Sequence, residues 1–496
     1  MIEKVTSYTA IKDFILEIED KYPVDKWVYN DIPFWPHIRV KLYYALIQSV
    51  NNQEHQKVNK TIHVDQIGSS RLERLKRLWH SSVAFNKFLK GVDKRELLFM
   101  SLDMHKVIHN DIYFNRFFDS MIAVNDLEKN SFTFEIKKHL RPCYNQNAVE
   151  TVAPYLDFYN KRYKITRFLY PLKNLESNNT QNVDRFREFL NNNGLFEISN
   201  QLKNSNLEKW STKIRVFSNF YTRYLIKAKT KKVIAVSYYG FDSMWSCMHA
   251  ANKLGIPTVD FQHGPQTEVH MAYASWSKIP KNGFSIMPKE YWCWDKESAQ
   301  EINKWAIPVN TIAKVYGQPW LAFTQNENKK VDTSEKEPIV LYTLQTFPLF
   351  TLENTFTPDI IKLIENSKYK WILRLHPSNS QDSHLVESYL EENHVRKEKY
   401  TIQGPSDTPL PEVLRESLLH ITNYSGCTIE ARELGVKTIL IDTVGLEVFK
   451  SYIDNDLVVF ANKEEIEFHY KLERLILETV KNENLSSRKI VNPLEF

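Results

Sequence analysis

Apolar positions fall at helical spacing through much of the first 230 residues and gather into short unbroken runs after that. Ile38 to Val50 (IRVKLYYALIQSV) predicts a helix. So does Arg71 to Lys90, with Leu72, Leu75, Trp79, Phe85 and Leu89 on one side and Arg74, Lys76, Arg77, Lys87 and Lys90 mostly elsewhere. Glu96 to Leu102 (ELLFMSL) is the first predicted strand, and Ser131 to Lys137 alternates as a second. A crossover helix is expected between them over Tyr113 to Ala123. Residues 150–230 are rich in Asn, Lys and Tyr and predict mostly helix.

From residue 232 the pattern sharpens. Val233 to Ser237 (VIAVS) predicts a buried strand, and Ser243 to Leu254 a helix ended by Gly255. Ile256-Pro257 then leads into the strand Thr258 to Gln262, completing a parallel βαβ unit. Tyr291 to Trp294 and Ile312 to Tyr316 predict further strands. Gln325 to Glu337 is polar, with Val331 its one apolar residue, and predicts a linker. A second α/β series follows, with strands at 339–343, 371–375, 400–403, 418–422, 438–441 and 457–460 alternating with helices and closed by a helix near 463–480. The expected fold is therefore α/β, with two Rossmann-like doubly wound domains facing across a cleft and a helical N-terminal extension. The boundaries expected are a helical region 1–95, an N-terminal Rossmann-like domain 96–324 with a helical insertion, a linker 325–337, a C-terminal Rossmann-like domain 338–480 and a tail 481–496.

Composition narrows the partners. The 496 residues carry 65 basic and 60 acidic side chains, a net +5, far from the basic excess of a nucleic-acid binder. Cys143, Cys247, Cys293 and Cys427 show no paired spacing, so a reducing cytoplasm is expected and neither a disulfide framework nor a structural zinc site. Met1 to Tyr22 is too charged for a signal peptide, and no run approaches the ~20 apolar residues of a membrane span. Peripheral binding stays open: Arg71, Arg74, Lys76, Arg77, Lys87 and Lys90 can face anionic lipid on the inner membrane while Trp79 and Phe85 dip into it, or the helix can simply pack its apolar side on the core.

Of the twelve glycines, only Gly68, Gly91 and Gly194 precede residue 240, so the tight strand-to-helix turns lie in the second half. Four clusters there carry candidate chemistry. Arg374-Leu375-His376-Pro377-Ser378 ends the strand WILRL; Pro377 halts the strand and leaves His376 at the sheet rim, as a ligand for phosphate or sugar or as a partner of loop backbone. Tyr424-Ser425-Gly426-Cys427-Thr428-Ile429-Glu430 opens a helix after LLHIT. Its unpaired N–H groups, with Ser425, Thr428 and the approach allowed by Gly426, suit phosphate or a simple cap; Glu430 suits a ribose hydroxyl or the helix dipole. In Phe261-Gln262-His263-Gly264, His263 reaches the rim beside a flexible backbone. Upstream, Tyr238-Tyr239-Gly240-Phe241-Asp242 ends a strand with Asp242 as N-cap, as general base or as orienting partner of His263. Tyr316-Gly317-Gln318-Pro319 reads as a hinge turn from which Gln318 can touch a ligand. Tyr239, Gln262 and Gly264 are further cleft candidates. No metal-binding spacing, P-loop, GxGxxG or GxSxG is present, so no metal or other cofactor is expected.

Taken together, HAANKLGIPTVDFQHG, the Tyr-Gly-Gln-Pro stretch, WILRLHPS and ITNYSGCTIEARELGVKTILID resemble the GT-B class of glycosyltransferases of bacterial capsule and lipopolysaccharide assembly. They are similar in particular to sialyl-, polysialyl- and Kdo transferases, in which the His-Pro turn and the serine-rich helix start hold the CMP of the donor. Related turns occur in teichoic-acid glycerophosphotransferases and in UDP-GlcNAc 2-epimerases. The resemblance spans roughly residues 230–445 and lacks the paired-acid motif of the sialyltransferases. It implies a CMP-activated Kdo or nonulosonic acid as donor, and a growing polysaccharide or lipid-linked glycan as acceptor. On that basis Arg374, His376, Pro377, Ser425, Gly426, Thr428 and Glu430 would grip the nucleotide, and Asp242 or His263 would deprotonate the acceptor, without a metal. CDP-glycerol or CDP-ribitol transfer, UDP-hexose transfer, and a non-catalytic glycan-binding protein are the alternatives.

Overall fold

Runs rich in β-branched and aromatic residues, each bounded by a turn, become two parallel sheets in the computed structural model, which describes residues 5–52, 71–136, 141–166, 177–327, 339–346 and 350–482. The chain divides into two compact units, 1–315 and 316–496. The division falls ahead of the linker expected at 325–337, because helix Pro319–Glu327 packs Leu321 against Leu410 and Val413 of the second unit. Residues 328–338 and the tail beyond 482 lie outside the described residues.

The first unit carries a seven-stranded sheet made of β1 (Leu97–Ser101), β2 (Ser131–Glu135), β3 (Val149–Thr151), β4 (Lys232–Val236), β5 (Thr258–Phe261), β6 (Glu290–Cys293) and β7 (Ile312–Val315). Their order across the sheet is β7-β6-β5-β4-β1-β2-β3, every neighbouring pair parallel. The second unit carries six strands, β8 (Ile339–Thr343), β9 (Lys370–Arg374), β10 (Tyr400–Gln403), β11 (Ser417–Thr422), β12 (Thr438–Leu440) and β13 (Val459–Phe460), ordered β10-β9-β8-β11-β12-β13 and again all parallel. Both are Rossmann-like. The chain runs outward from the middle strand one way, then returns and runs outward the other way, so connections leave in opposite directions at β1/β4 and at β8/β11. At such switch points the carboxyl ends of the strands open a crevice for ligands.

The N-terminal helices are not a separate region. Helix α1 (Tyr8–Lys21) and helix α2 (Trp35–Asn52) place Phe14, Ile15, Trp35 and Ile38 in one core with Leu98 and Val233 of the sheet. A wholly buried ion pair, Glu19 to Arg39 at 2.7 Å, fixes them. The Glu19 carboxylate also accepts from Trp35 Nε1 and from the backbone and hydroxyl of Ser277, while the Arg39 guanidinium stacks 4.0 Å from the Trp276 ring centre.

Two expectations are corrected. The crossover helix at 113–123 is shorter, Phe118–Val124, because Lys106–His109 and Ile112–Asn115 form an antiparallel hairpin. Its two-residue turn, Asn110-Asp111, has both φ angles positive (49° and 62°), the signature of the tight hairpin turn that Asn and Asp tolerate. In helix Arg71–Lys90, Phe85 does not face outward: it is buried among Tyr155, Phe158, Tyr159 and Phe220. Trp79 is exposed, and the side chains of Arg71, Arg74, Lys76 and Arg77 lie outside the described residues. Among the described residues no helix is long and apolar enough to cross a membrane.

Candidate functional site

The second unit builds its rim from the loops after β8, β9 and β11. Thr343 and Thr422 end β8 and β11 in register, and Thr422 Oγ1 donates to Thr343 O. The same hydroxyl accepts from Ser425 N and from Gln345 Nε2, pinning both loops at the switch point. Ser425 Oγ accepts from Cys427 N, so this serine is at least a cap for the short helix Cys427–Glu433. Between them, Asn423 is 1% exposed and neither its Oδ1 nor its Nδ2 has a partner; Thr428 is wholly buried and its Oγ1 has none either. Buried polar groups nearly always find partners, so two orphans on one turn stand out. Gly445 is obligatory behind this turn: a Cβ there would lie 2.3 Å from Asn423 O.

His376 stands at the end of β9, on the other side of β8. With strands ~4.8 Å apart, it lies about 10 Å from the Ser425 turn, within the reach of a nucleotide phosphate and its sugar. Its Nδ1 accepts from Ser378 N as Pro377 opens a one-turn helix, which makes Nε2–H the donor.

Three expected ligand groups have other partners. Arg374 is 6% exposed and donates to Gln403 Oε1, Pro405 O and Thr408 O, so it holds the loop after β10. Gln318 is buried, donates to Glu430 Oε1 at 2.7 Å and accepts from Trp320 N. Glu430, in the first turn of that helix, thereby shares one carboxylate oxygen with Gln318. Gly426 begins the helix in the right-handed α region and needs no glycine-only conformation.

The first unit has a cavity of about 740 Å³ at its own switch point, between the ends of β1 and β4. Leu102 and Met104 follow β1; Ser237, Tyr239, Gly240, Phe241 and Asp242 follow β4; His37, Lys41, Tyr44 and Gln48 of α2 close the far wall. Tyr239 Oη and Tyr44 Oη are 3.1 Å apart. Asp242 starts helix Asp242–Lys253, and its carboxylate accepts from Trp210 Nε1 at 3.1 Å and Lys213 Nζ at 2.7 Å. It is thus an ion-paired wall of the cavity, not hydrogen-bonded to His263. His263, after β5, shares Nδ1 with Tyr273 Oη at 3.2 Å. Burial, reinforced by His270 and Arg116, pushes the His263 imidazole down to about 3, so it is uncharged at neutral pH. Gln262 is no ligand. It donates to Gly264 O and Ser298 Oγ, accepts from Trp294 N, and so locks the turn; Gly264 itself has open space around it.

Sequence reasoning missed Asp260. It sits inside β5 with no exposure, its Oδ1 accepting from Tyr238 N at 2.8 Å and its Oδ2 unpartnered. Burial pushes its carboxyl up to about 8. An aspartate in the middle of the apolar run TVDFQ was the available signal.

No protein-family model matches the chain, and no curated protein matches it. Among solved structures, S. aureus MnaA with UDP is 11% identical over 77% of this chain and 88% of its own, with a TM-score of 0.44. A UDP-GlcNAc 2-epimerase from Neisseria meningitidis bound to UDP-GlcNAc is 12% identical over 79% and 94%, at 0.46. CalG4, the calicheamicin glycosyltransferase, is 10% identical over 77% and 90%, at 0.40. Likeness at this level says nothing of activity.

Proposed function

We propose that the protein is a nucleotide-sugar-dependent glycosyltransferase whose second unit holds the donor nucleotide and whose first unit supplies groups for the acceptor. The observation that carries this reading is the pair of buried, unpartnered side chains, Asn423 and Thr428, at the switch point of the second sheet. The His376 Nε2–H and the Thr428 hydroxyl would donate to the nucleotide phosphate and stabilise the negative charge that grows on it as the glycosidic bond breaks. Asn423, with both a donor and an acceptor, suits the sugar or the base. In the first unit, the tautomer of His263 that donates Nδ1–H to Tyr273 presents an Nε2 lone pair to an acceptor hydroxyl. Asp242, held by Lys213 and Trp210, has its place in shaping the cavity. The motif resemblance favours CMP-Kdo or a CMP-nonulosonate as donor and a surface glycan as acceptor.

Calorimetric titration of CMP, CDP and UDP against the full chain tests this. The wild type is expected to bind CMP most tightly, and His376→Ala and Asn423→Ala each to weaken it about tenfold, or ~1.4 kcal/mol. Binding of none of the three nucleotides overturns the reading. A preference for UDP overturns the CMP donor and leaves the transferase.

A further inference from the structure

The geometry points to an anion-binding cradle on the rim of the first sheet, built by His105, Arg116 and His263, that receives a phosphate-ester or carboxylate group. The three side chains come from distant parts of the chain. His105 follows β1, Arg116 closes the 106–115 hairpin and donates its backbone N–H to His105 O at 3.2 Å, and His263 follows β5. In the sheet order β5-β4-β1, the two histidines therefore bracket the end of β4, beside the switch point. Their rings lie 5.6 Å apart, and the Arg116 guanidinium bears electrostatically on both.

What marks this spot is unanswered donors. His105 is 5% exposed and its Nδ1 is enclosed without a partner. Arg116 Nε is enclosed and unpartnered, and among the described residues no carboxylate pairs with this arginine. The nearest acids are engaged elsewhere: Glu135 with Lys106, and Asp119 with Asn115 N. Gln266 Nε2 and Thr267 Oγ1, on the turn that carries His263, are buried and unpartnered as well. A guanidinium offers planar paired donors and the neutral His105 imidazole one N–H, which is the complement of an oxyanion, while His263, whose own N–H goes to Tyr273, forms the wall of the cradle. A bound anion also offsets what keeps the rings uncharged, namely burial and the Arg116 charge beside both. A metal is disfavoured by the guanidinium, and among the described residues no three His, Cys, Asp or Glu are grouped to hold one.

The inference stands independently of what the second unit binds. It is tested by hydrogen–deuterium exchange on the full chain with inorganic phosphate, with glucuronate, and separately with CMP. Phosphate or glucuronate is expected to slow exchange in residues 102–117 and 261–267; whichever protects more identifies the ester or the carboxylate as the natural group. Arg116→Gln should weaken that protection about tenfold or more, and Arg116→Lys, which keeps the charge but not the planar fork, should lose less. An unchanged thermal melt shows the variant folded; should Arg116→Gln not fold, His105→Gln is read the same way. The inference is overturned if neither anion protects 102–117, if Arg116→Gln binds as well as wild type, or if zinc alone protects these segments and the anions do not. Protection by CMP confined to the second unit reports on the nucleotide site and leaves the cradle to be judged by its own segments.

Discussion

Large rings line the rim of the first sheet, held in place by parts of the chain far away in sequence. Tyr239 meets Tyr44 of α2, His37 stacks on Trp210 at 4.4 Å, and α2 is itself anchored through Arg39 and Glu19 to the loop at 274–277. Small polar residues line the rim of the second sheet, held by contacts among that sheet's own strand-end loops: Thr343, Thr422, Ser425 and the close pass of Gly445 beneath Asn423. Both sheets have the same winding, so topology places the crevice in each, and the surrounding scaffold decides its chemistry. A rim of rings over a wide cavity suits the apolar faces and scattered hydroxyls of a glycan. A tight turn with unanswered donors suits a phosphate.

The largest effect expected from this difference follows from cutting the distant anchor. Glu19→Ala leaves the Arg39 charge buried and unpaired, which costs about 3–5 kcal/mol. Hydrogen exchange along a denaturant series should show this loss in the first unit, with the second unit unchanged. Equal losses in both would mean that the two rims share one scaffold, and the comparison would break.

Acid–base behaviour separates the units next. The folded first unit holds Asp260 protonated up to about pH 8, whereas the unfolded chain releases that proton near its ordinary value of ~3.9. The unfolded state therefore binds fewer protons across that window, and stability falls as pH rises, levelling above about 8. Asp119, pushed up to about 7 by burial, acts in the same sense. The buried histidines act oppositely: His263 and His37, each held near 3, and His270, held near 4, add stability as pH rises, but only up to the ordinary value of ~6.5. Between about pH 6.5 and 8 these two carboxyls still act. In the second unit His420, held near 3, has likewise finished its contribution by then. Chemical denaturation across this window should show the first unit weakening and the second flat, and Asp260→Asn should abolish most of the slope.

How much of this was legible in the residues depends on where each group finds its partner. Strands and switch points were, because apolar runs and Gly-Ile-Pro are local signals. Ser425, Thr428 and His376 were singled out from their places after strand ends, and Asn423 was passed over although it directly follows the strand. Arg374, Gln262 and Gln318 were read as ligand groups because polar residues at strand ends usually face outward. Their partners are Pro405 and Thr408, Ser298 and Trp294, and Glu430, distant enough in sequence that no spacing rule announces them. The first rim was legible least. The Asn110-Asp111 turn folds His105 and Arg116 together, and the wall of α2 reaches Tyr239 only through tertiary packing.

The smallest effect is the most discriminating. Thr428 is wholly buried and its hydroxyl unanswered, an uncompensated polar group. Thr428→Val keeps the shape and removes the hydroxyl, and should stabilise the second unit by about 1 kcal/mol. If the hydroxyl exists to donate to a nucleotide, the same change should weaken CMP binding several-fold, so stability and affinity move in opposite directions. Thr428→Ser keeps the donor and should retain affinity. A valine variant that gains stability and binds CMP as tightly as wild type would show that the hydroxyl plays no part at the rim, and the contrast between a ring-lined and a donor-lined crevice would then rest on Asn423 and His376 alone.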